Sequence, residues 1–152
     1  MSNLESFYST ARILKEEGFY EGKESLENVN ACKRFYVSRL YYAIFHGAKQ
    51  TIIAISSDLP EEDRFKENIK EVHGQVKGFF SFLLANYPEH NERYRFKRLT
   101  SNISKLHKFR KICDYTEGNI EKLEQIVEDA EFLAEDSYVR LKKILSWIEN
   151  RE

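Results

Sequence analysis

Apolar residues recur at intervals of three and four through most of this chain, which is the spacing of amphipathic helices. The two prolines, Pro60 and Pro88, fall between the periodic segments, where helices begin and end. No segment shows the apolar–polar alternation that is typical of a half-buried strand. The pattern therefore predicts an all-α protein.

Five helical segments are predicted, and the last of them has the most regular repeat. We expect helices over 4–17, about 30–56, about 61–86, about 92–114 and about 120–148, with a polar connector at 22–28. Apolar positions in the last helix repeat every 3.5 residues, as in the seam of a left-handed bundle. These positions are Ile120, Leu123, Val127, Ala130, Ala134, Ser137, Leu141, Ile144 and Ile148. The predicted fold is an antiparallel up-down bundle of four main helices plus a short N-terminal helix, in one domain over residues 1–152.

Charge is balanced over the whole chain, with a net charge of −1, but it is divided unevenly along it. Residues 93–111 include many Lys and Arg and no Asp or Glu, whereas residues 114–152 include more acidic than basic residues. Because aromatic residues lie between the basic ones, this stretch is a candidate surface for RNA phosphates and stacked bases. The substrate-binding candidates here are Arg93, Arg95, Lys97 and Arg98. An alternative of equal weight is a solvated helix face that pairs with the acidic last helix.

Cysteine usage and hydropathy bear on the class of protein. Cys32 and Cys113 make no disulfide framework, and no paired Cys/His spacing indicates a metal site. The N-terminus lacks the basic and apolar regions of a signal peptide, and no run reaches the ~18 apolar residues of a membrane span. We expect a soluble cytoplasmic protein that uses no metal and no cofactor.

Arg39 and His46 are the most informative pair of residues in the sequence. They are seven residues apart, so at about 100° per residue their side chains return to within roughly 20° of one helix face. Gln50 lies on that face too, with Ser38, Tyr42 and Lys49 beside it. The opposite face is apolar and consists of Val37, Tyr41, Ile44, Ala48, Ile52 and Ile55. Such a stripe is either structural, with Arg39 paired to a carboxylate of a neighbouring helix, or it is a functional site.

The two residue types suit the cleavage of a phosphodiester. Arginine holds phosphate and stabilises developing charge, and histidine transfers protons near neutral pH. Cleavage of RNA by its own 2′-hydroxyl needs a base, an acid and charge stabilisation, and it needs no metal. No cluster of carboxylates lies near the pair in sequence, which argues against a metal nuclease. His73 and His107 are isolated, and a structural role is the simpler interpretation of both.

The segment from Ser38 to Lys49 resembles the signature helix of HEPN-domain proteins. It matches the pattern R-x-YYA-x-FH-x-A, found in small stand-alone bacterial and archaeal members. Two further segments fit that branch in the same order. Residues 73–76 resemble its H-x-x-V helix start, and residues 109–115 resemble its R-x-x-x-DY helix end. The resemblance covers nearly the whole chain.

The resemblance implies a metal-independent ribonuclease. In many HEPN proteins the Arg and His of two protomers form one composite site at a homodimer interface. Carried over, these catalytic residues are Arg39 and His46, and Ser38, Tyr42, Lys49 and Gln50 would contact the substrate. Several HEPN proteins are toxins paired with a small nucleotidyltransferase, which makes such a protein a candidate partner here. One departure is Leu40, because a polar residue often follows the Arg in the nucleases.

Three hypotheses follow. The first is a toxin-like or defence-related endoribonuclease that acts as a homodimer on RNA. The second is a non-catalytic HEPN module that binds a nucleotide, an RNA or a nucleotidyltransferase partner through the same groove. The third is a helical dimerisation protein in which Arg39 is paired within its own protomer.

Overall fold

A computed structural model of the chain describes residues 3–18, 26–56, 61, 76 and 90–149. Within these residues four helices are present and no strand: α1 (Asn3–Gly18), α2 (Leu26–Ser56), α3 (His90–Tyr115) and α4 (Leu123–Glu149). The all-α prediction is therefore confirmed for the described part of the chain. The helix predicted over about 61–86 lies outside it, apart from Glu61 and Val76.

Helix α2 is the centre of the helical bundle, because it packs against each of the other three described helices. Its predicted apolar face is the middle of the core. The side chains of Val37, Tyr41, Ile44, Ala48 and Ile52 have no solvent exposure. Burial of these side chains is the main driving force that holds α2 in place, at about 25 cal/mol per Å² of apolar surface removed from water.

Helix α2 begins earlier than its sequence indicated. The segment 22–28 was expected to be a polar connector, but the helix already starts at Leu26. Val29 is buried in the first turns and is 1% exposed. Asn28 and Asn30 are poor helix formers, and the burial of Val29 between them outweighs that preference.

Helix α4 follows its predicted seam closely. The seam residues from 123 to 144 are buried, which is the result expected from the 3.5-residue repeat. Ile120 is the exception in position, because it precedes the helix and packs against the core from the connecting segment. That segment contains two residues with positive φ, Gly118 (74°) and Lys122 (59°), so the chain turns there before α4 starts.

The apolar spacing of α1 predicts that Leu4, Phe7 and Ala11 face the core, and one of the three does not. Leu4 and Ala11 are buried as its apolar periodicity predicts, but Phe7 is 43% exposed. The ring of Phe7 lies on α2 instead of in the core. Close approach of α1 and α2 depends on Gly47, because a Cβ there would collide with the side chain of Leu4.

Candidate functional site

Arg39 and His46 lie on the solvent-facing side of α2, opposite its buried face. Both side chains are exposed, as the helical periodicity predicts. The guanidinium of Arg39 lies over the ring of Phe35, with Cζ 4.7 Å from the ring centroid. Within the described residues no carboxylate forms an ion pair with Arg39, so the structural alternative of an intramolecular partner gains no support there.

His46 is held in an aromatic environment. Its ring centroid is 5.4 Å from that of Phe7 on α1, 5.6 Å from that of Phe45 and 6.3 Å from that of Tyr42. Partial burial lowers the pKa of His46 below its ordinary value, and the positive charge of Lys49 lowers it further. The imidazole is therefore neutral at neutral pH, which is the state that accepts a proton.

A second arginine, Arg110 of α3, comes close to the stripe through tertiary packing. Its guanidinium lies 5.2 Å from the ring centroid of Tyr42 and 5.6 Å from that of Tyr115. Nε of Arg110 forms an ion pair with Oδ2 of Asp114 at 2.8 Å, one helical turn later. The four-residue spacing of Arg110 and Asp114 is that of a contact within one helix, and the structure shows that this contact also borders Tyr42.

Ser38 is buried and faces α3 rather than solvent. It is 7% exposed, and its hydroxyl donates to Oδ2 of Asp114 at 3.4 Å. The two further motifs of the resemblance, residues 73–76 and 109–115, are described to different extents. Residues 109–115 lie against the Arg39/His46 helix, whereas only Val76 of residues 73–76 falls within the described part, where it is buried.

Arg34 was not singled out by the sequence analysis, although it shapes the site. Its Nε donates to the carbonyl of Cys113 at 2.7 Å, and its two terminal nitrogens donate to the carbonyls of Gly118 and Thr116. The guanidinium thereby satisfies carbonyls at the end of α3 and in the turn that follows, which have no partner within a helix. The sequence does not reveal this role, because Arg34 is far along the chain from the carbonyls that it contacts.

The other predicted contact residues surround the stripe to different degrees. Lys49 and Gln50 are partly buried on α2, next to His46. Lys97 and Arg98 are exposed on α3. Nε of Arg98 lies 3.8 Å from Oδ2 of Asp136 on α4. This contact is of the kind expected if the basic face pairs with the acidic last helix instead of with RNA. The side chains of residues 93 and 95 lie outside the described part.

Cys113 and His107 lie in surroundings that favour a structural role over a chemical one. Cys113 is buried, and burial raises the pKa of its thiol to about 11. The ring of His107 stacks on that of Tyr41 at 5.2 Å. Across the described segments, no group of three or more His, Cys, Asp and Glu side chains is placed to hold a metal ion. None of the described helices combines the length and the apolar character needed to cross a membrane.

The site is therefore an exposed strip on α2 that contains one guanidinium, one neutral imidazole and several aromatic rings, with Arg110 and Asp114 at its edge. Such a strip can hold a phosphate, stack bases and accept a proton. Comparisons with known proteins identify no relative: no family model, no curated protein and no solved structure matches the chain.

Proposed function

We propose that this protein is a metal-independent endoribonuclease of HEPN type, toxin-like or defence-related, that acts as a homodimer. The observation that supports the proposal best is the placement of Arg39 and His46. They are exposed on one face of a helix whose opposite face is the centre of the core. A rigid helix buried on one side holds its exposed side chains in a fixed relation, which catalysis requires.

The chemistry assigns a different task to each residue. The neutral imidazole of His46 accepts the proton of the substrate 2′-hydroxyl, and that oxygen then attacks the adjacent phosphorus. Arg39 stabilises the negative charge that develops on the phosphorane oxygens. The His46 of the second protomer carries a proton at this stage. It donates that proton to the 5′-oxygen, which then leaves. General acid–base catalysis of this kind contributes about 10²–10⁴-fold in rate.

A homodimer is supported by the apolar residues that border the stripe. Phe7, which lies beside His46, and Ile53, which is seven residues further along α2, are 43% and 48% exposed. A second copy that covers these side chains would bury them and bring the two stripes together on one phosphate. We propose the finer fold as well: an antiparallel up-down bundle of four main helices, with α1 as the additional N-terminal helix.

The alternative function is a non-catalytic HEPN module that binds RNA, a nucleotide or a small nucleotidyltransferase partner. Leu40 favours it specifically, because its side chain has no solvent exposure and is part of the core. The position after Arg39 therefore presents no polar group to a substrate. The stripe would then bind phosphate without cleaving the chain.

The test is cleavage of single-stranded RNA by the purified protein with and without EDTA. We expect chelator-resistant cleavage that leaves a 2′,3′-cyclic phosphate and a 5′-hydroxyl. His46→Ala abolishes cleavage, and Arg39→Ala weakens both binding and cleavage because it removes contacts made before and during the reaction. Lys143→Ala, an exposed charge removed from α4, is the matched control and leaves the rate unchanged.

Three results would contradict this mechanism. EDTA-sensitive cleavage or 5′-phosphate products would exclude attack by the 2′-hydroxyl without a metal. RNA binding that depends on Arg39, with no cleavage by the wild-type protein, would favour the non-catalytic module. Light scattering that shows a strict monomer at tens of micromolar would remove the composite site.

A further inference from the structure

A cavity of about 860 Å³ lies next to the Arg39/His46 stripe, between the first half of α2 and the segment that follows α3. Its size is within the range of small-molecule binding sites. Its apolar lining includes Phe35, Ile120 and Leu123. Its polar lining includes Asn30, Arg34, Asp114 and Asn119. An apolar wall with a few polar groups is the usual composition of a site for a flat, polar-edged ligand.

Phe35 connects the cavity to the stripe. Its ring is 49% exposed and lines the cavity, and the guanidinium of Arg39 is 4.7 Å from its centroid. The guanidinium of Arg39 covers one face of this ring, so a nucleobase would stack on the other face. Since the base and the phosphate of one nucleotide are neighbours, a base on Phe35 would have its phosphate at Arg39.

Asp114 gives the cavity a preference among bases. Nε of Arg110 at 2.8 Å and the hydroxyl of Ser38 at 3.4 Å both contact its Oδ2 and fix the carboxylate. An ionised carboxylate only accepts hydrogen bonds. It therefore selects a base edge that carries adjacent N–H donors and disfavours an edge rich in carbonyl oxygens.

Guanine fits these groups better than uracil does. The Watson–Crick edge of guanine presents N1–H and N2–H₂ as donors beside the O6 acceptor. The donors match the carboxylate of Asp114, and the side-chain amide of Asn119 can donate to O6. Uracil has one N–H between two carbonyl oxygens, and these oxygens would meet the negative charge of Asp114.

We propose that this cavity binds a guanine base of the RNA substrate, directly next to the phosphate held at Arg39. The inference rests on the proposed ribonuclease function and adds its base specificity. Arg34 also lines the cavity, and it fixes the turn that carries Asn119 because it donates to the carbonyls of Thr116 and Gly118.

The first experiment compares cleavage of short single-stranded RNAs that differ only in having guanine or uracil at one position. We expect kcat/KM to be about 10-fold higher for guanine, the discrimination that one well-placed pair of hydrogen bonds gives. Asp114→Asn should reduce this preference to about 2-fold or less. Glu117→Gln removes the same charge from an exposed side chain three residues later and should retain the full preference.

Asn119→Ala is the second variant, because Asp114 also pairs with Arg110 and its loss can reduce stability. Asn119 is exposed in the turn after α3, so its replacement leaves the packing intact. We expect it to lower the guanine preference as well. An undiminished preference in both folded variants would overturn the assignment of the cavity.

The second experiment separates the guanine site from the nuclease function. Binding of GMP and UMP to the His46→Ala variant is measured by calorimetry, and we expect GMP to bind about 10-fold more tightly. Selective GMP binding would support the cavity even if the wild-type protein cleaved no RNA, a result that would refute the nuclease alone. Equal affinities for GMP and UMP, together with cleavage that ignores the base, would overturn the guanine site and retain the nuclease.

Discussion

Replacing Arg34 with lysine tests whether one guanidinium holds the end of α3 and the following turn. Lysine keeps the charge, but its donors are all on one nitrogen, whereas Arg34 reaches the three carbonyls from three nitrogens of a planar fork. We expect the lysine nitrogen to keep one of these contacts. The carbonyls of Cys113 and Thr116 are partly buried acceptors, and that of Gly118 is exposed. The variant therefore loses about two charge-assisted hydrogen bonds.

The expected cost follows from these contacts. A hydrogen bond from a charged donor contributes about 1.5–3 kcal/mol, so two of them set an upper limit of about 3–6 kcal/mol. Partial exposure of the site and hydration of the freed carbonyls reduce the loss to about 2–3 kcal/mol. At roughly 2–4 °C per kcal/mol for a chain of this length, Tm should fall by roughly 4–12 °C.

The assay is urea and thermal denaturation of Arg34→Lys followed by circular dichroism. Arg98→Lys is the matched control, since Arg98 is an exposed residue whose ion pair with Asp136 spans 3.8 Å. Exposed pairs contribute about 0–1 kcal/mol, so the control should be almost as stable as the wild-type protein. The amide of Thr116, which donates to Ile112 at 3.1 Å, should also exchange faster in Arg34→Lys. A loss below about 1 kcal/mol, equal to that of the control, would refute this reasoning.

Three further predictions concern α2 and the basic residues of α3. Gly47→Ala should destabilise the protein by about 1 kcal/mol in denaturation, because collision with buried Leu4 exceeds the gain in helix propensity, and no loss would contradict the close approach. Lys49→Gln should raise the pKa of His46 in an NMR titration, since the positive charge that disfavours the imidazolium is gone; an unchanged pKa would leave burial as its sole cause. Alanine at the four basic positions of 93–98 should flatten the salt dependence of RNA binding. An unchanged slope would contradict a role in phosphate binding and leave the ion pairing that Arg98 shows with Asp136.

Periodicity was sufficient to predict the parts of the fold that depend on one helix at a time. The buried faces of α2 and α4 follow from the 3.6- and 3.5-residue repeats because burial of apolar surface outweighs other local preferences. The predictions for the start of α2 and for the burial of Phe7 were wrong, because both depend on contacts between helices. Val29 extends the core into a segment of polar composition, and Phe7 is apolar but lies on the neighbouring helix beside His46.

The candidate site was predictable only where it is local. Arg39 and His46 share a face because seven residues make nearly two turns. The surroundings of the pair come from contacts between residues far apart in sequence, such as Ser38 with Asp114 and Arg34 with Gly118. No periodic pattern encodes these contacts, because they depend on how α3 packs against α2. The three motifs of the resemblance follow one another in the expected order along the chain, but that order does not predict which of their side chains are in contact.

The same helix carries the core and the proposed chemistry, and this determines how the site can vary. Residues on the exposed face of α2 can be replaced at little cost in stability, because their side chains make few buried contacts. Replacement on the buried face disturbs the packing of α2 against its neighbouring helices. Gly47 lies at the boundary between the two faces. It follows His46 directly and allows α1 to approach closely enough for Phe7 to contact the imidazole. The proton affinity of His46 is thus set partly by the packing of α1, so a change in that contact would alter the chemistry without altering any residue of the stripe.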